Sequence, residues 1–269
     1  MSLEPLQRRI AALLRARRSP DAFVGRAAVL NDVGARVSED MDIYAKDRPI
    51  AEIAADDLAA LAADGLEIVS RRDHYGFAIE AEISDGAGST LLEWSEADHE
   101  RFFPAQPHPT FGWALHVIDL AVLKVIAAAT RRQARDISDL IDLAGRGYDL
   151  AALALAAPAK LPGVSPIAIL ERDRLTSISL PGEDFDNLRW DRAEPRRAAG
   201  AFKLEFSDLV QAAIDKLAAS DPSAAPGLIY LDGLTGLPAL PTAETRIRLE
   251  ARAAIRRGAF PRLTSPFSV

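Results

Sequence analysis

The chain has 269 residues, 49% hydrophobic and 26% charged, the make-up of an ordinary folded protein with room for one large domain or two modest ones. It has no cysteine, so disulfides, thiolate metal sites and cysteine nucleophiles are excluded by inventory. The formal net charge of -7 argues against a surface that grips nucleic acid throughout, though a local basic patch stays compatible with it. No apolar run reaches the ~20 residues that span a bilayer and no secretory apolar core stands near the start, so the expected setting is cytoplasmic, with no membrane as partner.

Leu3, Leu6, Ile10, Leu13 and Leu14 recur at helical spacing among Arg8, Arg9, Arg15, Arg17 and Arg18, which predicts an amphipathic first helix with a basic outer face. Ser19-Pro20-Asp21 breaks that pattern, and Ala22-Phe23-Val24 predicts a short buried strand ending at Gly25. A short helix over 27–33 stops at Gly34, and 41–44 alternates as a second strand. Residues 50–63, rich in alanine and followed by Gly65, predict another helix. Strands are expected over 66–69, 77–83 and 90–94, with Asp85-Gly86-Ala87-Gly88 as the turn between the last two. Pro104, Pro107 and Pro109 exclude helix or central strand between 102 and 110, and the boundary between an α+β domain (1–110) and a mainly helical domain (111–269) falls there. Helices are predicted over 117–130, 136–144, 207–219 and 243–256, with a β-like run at 175–180.

Two segments carry chemistry. In Arg36-Val37-Ser38-Glu39-Asp40-Met41-Asp42 the two aspartates alternate along a strand and project to one side, where their like charges call for a cation; magnesium prefers such oxygen ligands together with phosphates. A solvated acidic turn is the plain alternative. In the second segment, 120–129, an almost wholly apolar helix carries a single cation, Lys124, among alanines at helical spacing. A buried lysine needs an anionic partner, which a triphosphate or a structural acid would supply. Asp136 and Asp139 stand in the first turns of the next helix, where its dipole favours negative charge. Four histidines, among them His99 beside Asp98 on an expected surface, show no metal-ligand spacing, and no Walker loop, nucleophile elbow or dinucleotide fingerprint occurs.

Gly25, a short helix and then Arg36-x-Ser38-x-Asp40-x-Asp42, followed by Asp119-Leu120, Lys124, Arg131, Arg135-Asp136 and Asp139-Leu140, resembles the AbiEii-like nucleotidyltransferases. The resemblance covers 22–44 and 116–143. It implies a DNA polymerase β-type mixed sheet with flanking helices and a mainly helical C-terminal region. It implies transfer of a nucleoside monophosphate from a nucleoside triphosphate to an RNA end such as that of tRNA, to a protein or to a small molecule. The family also includes toxins of toxin–antitoxin and phage-defence systems, which implies a cognate antitoxin as partner. Carried over by position, Asp40 and Asp42 would hold two magnesium ions, with Glu93 as a third ligand. Lys124 would contact the triphosphate, Asp136 would complete the catalytic set, and Gly25, Arg26, Arg36 and Ser38 would line the nucleotide pocket. Arg26 departs from the family's usual Gly or Ser, so a catalytically silent binding protein on the same fold stands as the alternative.

Overall fold

The computed structural model describes residues 3–31, 34, 36–45, 48–97, 100–190, 197–243, 245 and 248–255. At its centre β1 (Ala22–Gly25) and β2 (Asp40–Ala45) pair antiparallel, and β5 (Ser89–Glu96) lies parallel to β2. From β5 the sheet continues outward through β4 (Ala78–Ser84) to β3 (Glu67–Asp73), both antiparallel to their neighbours. On the other side of β1 come β7 (Gly112–Ala114), parallel to it, and β6 (Gln106–His108) at the edge, giving the order β3-β4-β5-β2-β1-β7-β6.

Residue pattern explains which strands are central. Ala22-Phe23-Val24 and Met41 to Ala45 are buried along both faces, as strands covered on two sides must be. In β4 and β5, by contrast, Ile79, Ala81, Ile83, Thr90, Leu92 and Trp94 are buried and alternate with half-buried or exposed Glu80, Glu82, Leu91 and Glu93. Helices α1 (Pro5–Leu14) and α3 (Ile50–Ala63) pack on the sheet at this half. Asp57 of α3 fastens that layer, accepting from Trp94 Nε1 at 2.8 Å and pairing with buried Arg18 just beyond α1. Pro107 sits in the edge strand β6, where a missing backbone donor is tolerated. Residue 110, where the sequence pattern divides the chain, lies in the turn joining β6 to β7. Next to it Gly112 has φ +78°, and a Cβ there would lie 2.2 Å from the Arg15 carbonyl oxygen, so only glycine fits.

The C-terminal region is mainly helical: α4 (Val117–Thr130), α5 (Ala134–Gly145), α6 (Leu150–Ala156), α7 (Pro166–Ser179), α8 (Gly182–Asp186) and α9 (Ala199–Ala218), with a separate hairpin of β8 (Leu228–Asp232) and β9 (Leu249–Ala253). Helix α4, apolar nearly all round, is enclosed by α5, α6 and α7 and touches α2 (Arg26–Asn31), the short helix after β1. Two expectations are corrected. The β-like run at 175–180 is the end of α7, which starts at a Ser165 cap with Pro166 in its first turn; the alternation misleads because Leu175 and Ile178 are exposed while the buried stripe is Ile169, Leu170, Asp173 and Ser177. The helix expected over 243–256 is strand β9 over 249–253, where pairing with β8 overrides local propensity. Helix α9 also begins earlier than 207. Residues 32 and 33, where the helix after β1 was expected to end, and Asp98 and His99 lie outside the described residues. Among the described residues no helix is long and apolar enough to cross a membrane.

Candidate active site

The sheet register aligns Gly25, Asp42 and Glu93 in one row across β1, β2 and β5, because Gly25 stands opposite Asp42 and Asp42 opposite Glu93. Asp40, two residues before Asp42, projects to the same face and keeps 23% of its side chain exposed, whereas Asp42 is fully buried. Arg26, the first residue after β1, adopts φ 52° and turns its side chain back over this row. Its Nη1 donates to Asp42 Oδ1 at 2.7 Å and to Glu93 Oε2 at 3.2 Å, its Nη2 lies 3.1 Å from Glu93 Oε1, and its Nε donates to the Tyr44 hydroxyl at 2.8 Å. The open side of Gly25 is filled by the Tyr44 ring, 2.4 Å from where a Cβ would stand, so glycine here is required by tyrosine packing.

This pair is electrostatically lopsided. Burial pushes the Asp42 carboxyl up to about 7, with Asp40 and Glu93 pushing the same way and Arg26 and Arg135 pulling against them. Burial also works against the Arg26 cation, but Asp42, Tyr44 and Glu93 outweigh it and raise its pKa. The difference follows exposure: the guanidinium side chain keeps 37% of its surface in solvent and the carboxylate keeps 1%.

Lys124 lies on α4 with its ammonium 2.8 Å from Asp136 Oδ1 and 2.7 Å from Asp139 Oδ2, both on α5. Arg36 closes the other side of Asp139 with a two-pronged contact, Nε to Oδ1 at 2.8 Å and Nη2 to Oδ2 at 3.0 Å. Burial alone would raise the Asp139 pKa; Lys124 and Arg36 overcome it and hold the carboxyl below the ordinary range. Asp136 is fully buried behind Lys124, and Arg131 Nε stands 3.7 Å from its second oxygen. Ser38 hydroxyl donates to the Asp40 carbonyl at 2.9 Å, shaping the start of β2. Spacing on the sequence assigned Asp139 only to the helix dipole; its place as the shared partner of Lys124 and Arg36 comes from a contact made across 103 residues.

These elements meet in one cleft, partly open to solvent, lined by Arg26, Asp40, Asp42, Leu120, Leu123, Lys124, Arg131 and Arg135. The two segments singled out from sequence therefore converge. Arg131 and Arg135, present in the sequence blocks but without an assigned role, add two cations, with Arg135 Nη1 3.5 Å from Glu39 and 3.8 Å from Asp40. Gly25, Arg36, Ser38, Glu93 and Asp136 are not among the lining residues; Arg36 reaches them through Asp139 and the others contact or adjoin them. Among the described residues no cluster of three or more carboxylate or histidine groups is arranged to hold a metal ion. Magnesium is commonly held by one or two carboxylates plus substrate phosphates, and Asp42 Oδ2, buried without a hydrogen-bond partner beside Asp40, offers that donor set. In donor chemistry the pair fits.

No protein-family model matches the sequence, and no curated protein is significantly similar to it. Among solved structures, the chain is similar to MenT4, a nucleotidyltransferase toxin from Mycobacterium tuberculosis, with a TM-score of 0.50 and 15% identity over 81% of this chain and 84% of that one. At that identity the likeness establishes the fold, an α+β nucleotidyltransferase-like one. Weaker likenesses run to a cytoplasmic RNA terminal U-transferase (TM-score 0.27, 16% identity, 63% of this chain and 48% of that one) and to the Cid1 poly(U) polymerase (TM-score 0.31, 12% identity, 76% and 68%); neither bears on the argument.

Proposed function

We propose that the protein is a nucleotidyltransferase that moves a nucleoside monophosphate from a nucleoside triphosphate to an acceptor hydroxyl. The observation that carries the reading is the convergence of the Asp40–Asp42 pair with Lys124, Arg131 and Arg135 in one cleft of this fold. In the reaction the acceptor oxygen bonds to the α-phosphorus, the bond from that phosphorus to the oxygen bridging to the β-phosphate breaks, and pyrophosphate leaves with the electron pair. The acceptor proton passes to the Asp40–Asp42 carboxylates. Lys124, Arg131 and Arg135 face the triphosphate and oppose its charge, while Asp136 and Asp139 act as positioning residues that aim Lys124. Arg36 and Ser38 act the same way, on Asp139 and on the backbone of Asp40. Helices α4 and α5 thus lend Lys124, backed by Asp136, to a cleft whose acids come from the sheet.

Asp40, Asp42 and Glu93 are the residues that would hold magnesium, which when bound supplies Lewis-acid stabilisation of the transferring phosphoryl group. We further propose that the acceptor is an RNA end and that the protein works as an AbiEii-like toxin, a reading supported by the two sequence blocks and by the fold shared with a nucleotidyltransferase toxin. A second reading has its own support: Arg26 engages both Asp42 and Glu93, which suits a catalytically silent protein that binds nucleotide or a partner.

The test is transfer of label from each α-labelled nucleoside triphosphate to total RNA and to the protein itself, with magnesium, for wild type beside Asp42→Ala. Label on RNA that disappears in the variant supports the leading reading. Triphosphate binding by calorimetry without any transfer selects the silent one.

A further inference from the structure

We infer that Arg26 is an exchangeable internal cation: its guanidinium holds Asp42 and Glu93 together in the nucleotide-free protein and moves onto the phosphates when a triphosphate and a divalent ion enter. The inference rests on the nucleotidyltransferase reading and adds to it an order of binding. Asp42 and Glu93 are direct neighbours across the parallel β2–β5 pairing, where like charges facing each other destabilise a sheet unless a cation lies between them. Arg26 is that cation. Its fork spans both carboxylates at 2.7–3.2 Å, and its Nε bond to Tyr44 fixes the direction from which it reaches them. A divalent ion held by Asp42 and Glu93 would compete with the guanidinium for the same carboxylate oxygens.

Arg26 has somewhere to go. It lines the cleft and its side chain is 37% exposed, so a rotation of the side chain carries the guanidinium into the space that a triphosphate would occupy. That space is bordered by the cations Lys124, Arg131 and Arg135 opposite the acids Asp40 and Asp42, so without nucleotide the guanidinium gains nothing by leaving the carboxylates it already holds. With triphosphate present it gains a two-pronged phosphate contact instead. Divalent-ion binding is therefore coupled to triphosphate binding through one side chain, and removing that side chain uncouples them. The Tyr44 ring whose hydroxyl receives Nε also fills the side of Gly25 where a side chain would be.

The experiment measures manganese(II) binding by electron paramagnetic resonance of the free ion, on the whole protein, with and without a non-hydrolysable triphosphate analogue. The expected result is that nucleotide-free Arg26→Ser binds manganese about tenfold or more tighter than wild type, within the usual size of a coupling effect, while the analogue tightens binding in wild type far more than in the variant. Tyr44→Phe keeps the ring that packs on Gly25 and removes the hydroxyl that accepts from Arg26 Nε, so it moves in the same direction by a smaller factor. Equal manganese affinity in nucleotide-free wild type and in both variants overturns the inference, as does an equal gain on adding the analogue. A manganese difference in variants of a protein that never transfers label would overturn the transferase reading and leave the role of Arg26 standing.

Discussion

Replacing Asp42 by asparagine separates what the site costs the fold from what it contributes to chemistry. In the folded protein burial raises this carboxyl to about 7, while in the unfolded chain it titrates near the ordinary 3.8. Because the folded value is the higher one, the group's contribution to stability is fully present below pH 3.8, is lost progressively as pH rises to about 7, and stays lost above that. At ~1.4 kcal/mol for each pH unit the loss is on the order of 4 kcal/mol at pH 8. Asparagine is neutral at every pH and still presents an oxygen to Arg26 Nη1. The pull of Arg26 is already part of the raised value, and at pH 4 the folded carboxyl is neutral like the amide, so the variant should be close to wild type at pH 4 and more stable by on the order of 4 kcal/mol at pH 8. Urea unfolding midpoints from pH 4 to pH 9, taken in EDTA so that no divalent ion occupies the acids, measure the difference, and other titrating groups cancel in it. A difference that does not change with pH, or a variant less stable than wild type at pH 8, would refute the reasoning. Transfer activity should disappear in the same variant, making Asp42 a residue kept for function at a cost in stability.

Three further outcomes are expected. Asp139→Ala removes the shared partner of Lys124 and Arg36 and leaves two buried cations short of a counter-charge, which should cost about 3–5 kcal/mol in chemical unfolding and raise KM for the triphosphate as Lys124 loses its anchor. Asp173 of α7 is fully buried with both carboxyl oxygens lacking a hydrogen-bond partner, and burial first and Asp136 second push its pKa well above the ordinary value; Asp173→Leu should therefore stabilise the protein by about 1–3 kcal/mol in urea unfolding at pH 8, and a loss of stability would show that the carboxyl has a partner in solution. Gly112→Ala places a Cβ against the Arg15 carbonyl at a positive φ, so it should lower the melting temperature by several degrees while leaving nucleotide binding intact by calorimetry, because neither Gly112 nor Arg15 lines the cleft.

Much of the site was legible because its residues defy the patterns around them. Asp40 and Asp42 alternate on a strand whose neighbours are apolar, and Lys124 interrupts a run over 120–129 that is otherwise alanine, leucine, valine and isoleucine. Such exceptions can be read locally, since a carboxylate or ammonium in an apolar element needs a partner wherever the element ends up. The partner itself cannot be read locally. Whether Lys124 faced a ligand or a structural acid was left open by spacing, and the fold answers that it meets two acids on α5 at under 3 Å while also lining the cleft.

The elements followed the same division. Helices α3 and α4 start and stop where composition and the following residues dictate, and the strands β4 and β5 show their one-sided burial in simple alternation. The end of α7 misled because Leu175 to Leu180 alternates like a strand while Ser165 and Pro166, ten residues earlier, set the helix going. Strand β9 misled because a strand in a two-stranded hairpin is defined by its partner β8, seventeen or more residues away in the chain. The sequence alone determined that a paired-acid strand and a lysine-bearing buried helix exist, because charge, burial and periodicity are properties of each segment. That they share one cleft, that Asp139 ties Lys124 to Arg36, and that the guanidinium of Arg26 spans Asp42 and Glu93 were decided only by tertiary structure. Those contacts join residues 15 to 103 positions apart, and they are set by the sheet register and by how the helices pack, which no single segment specifies.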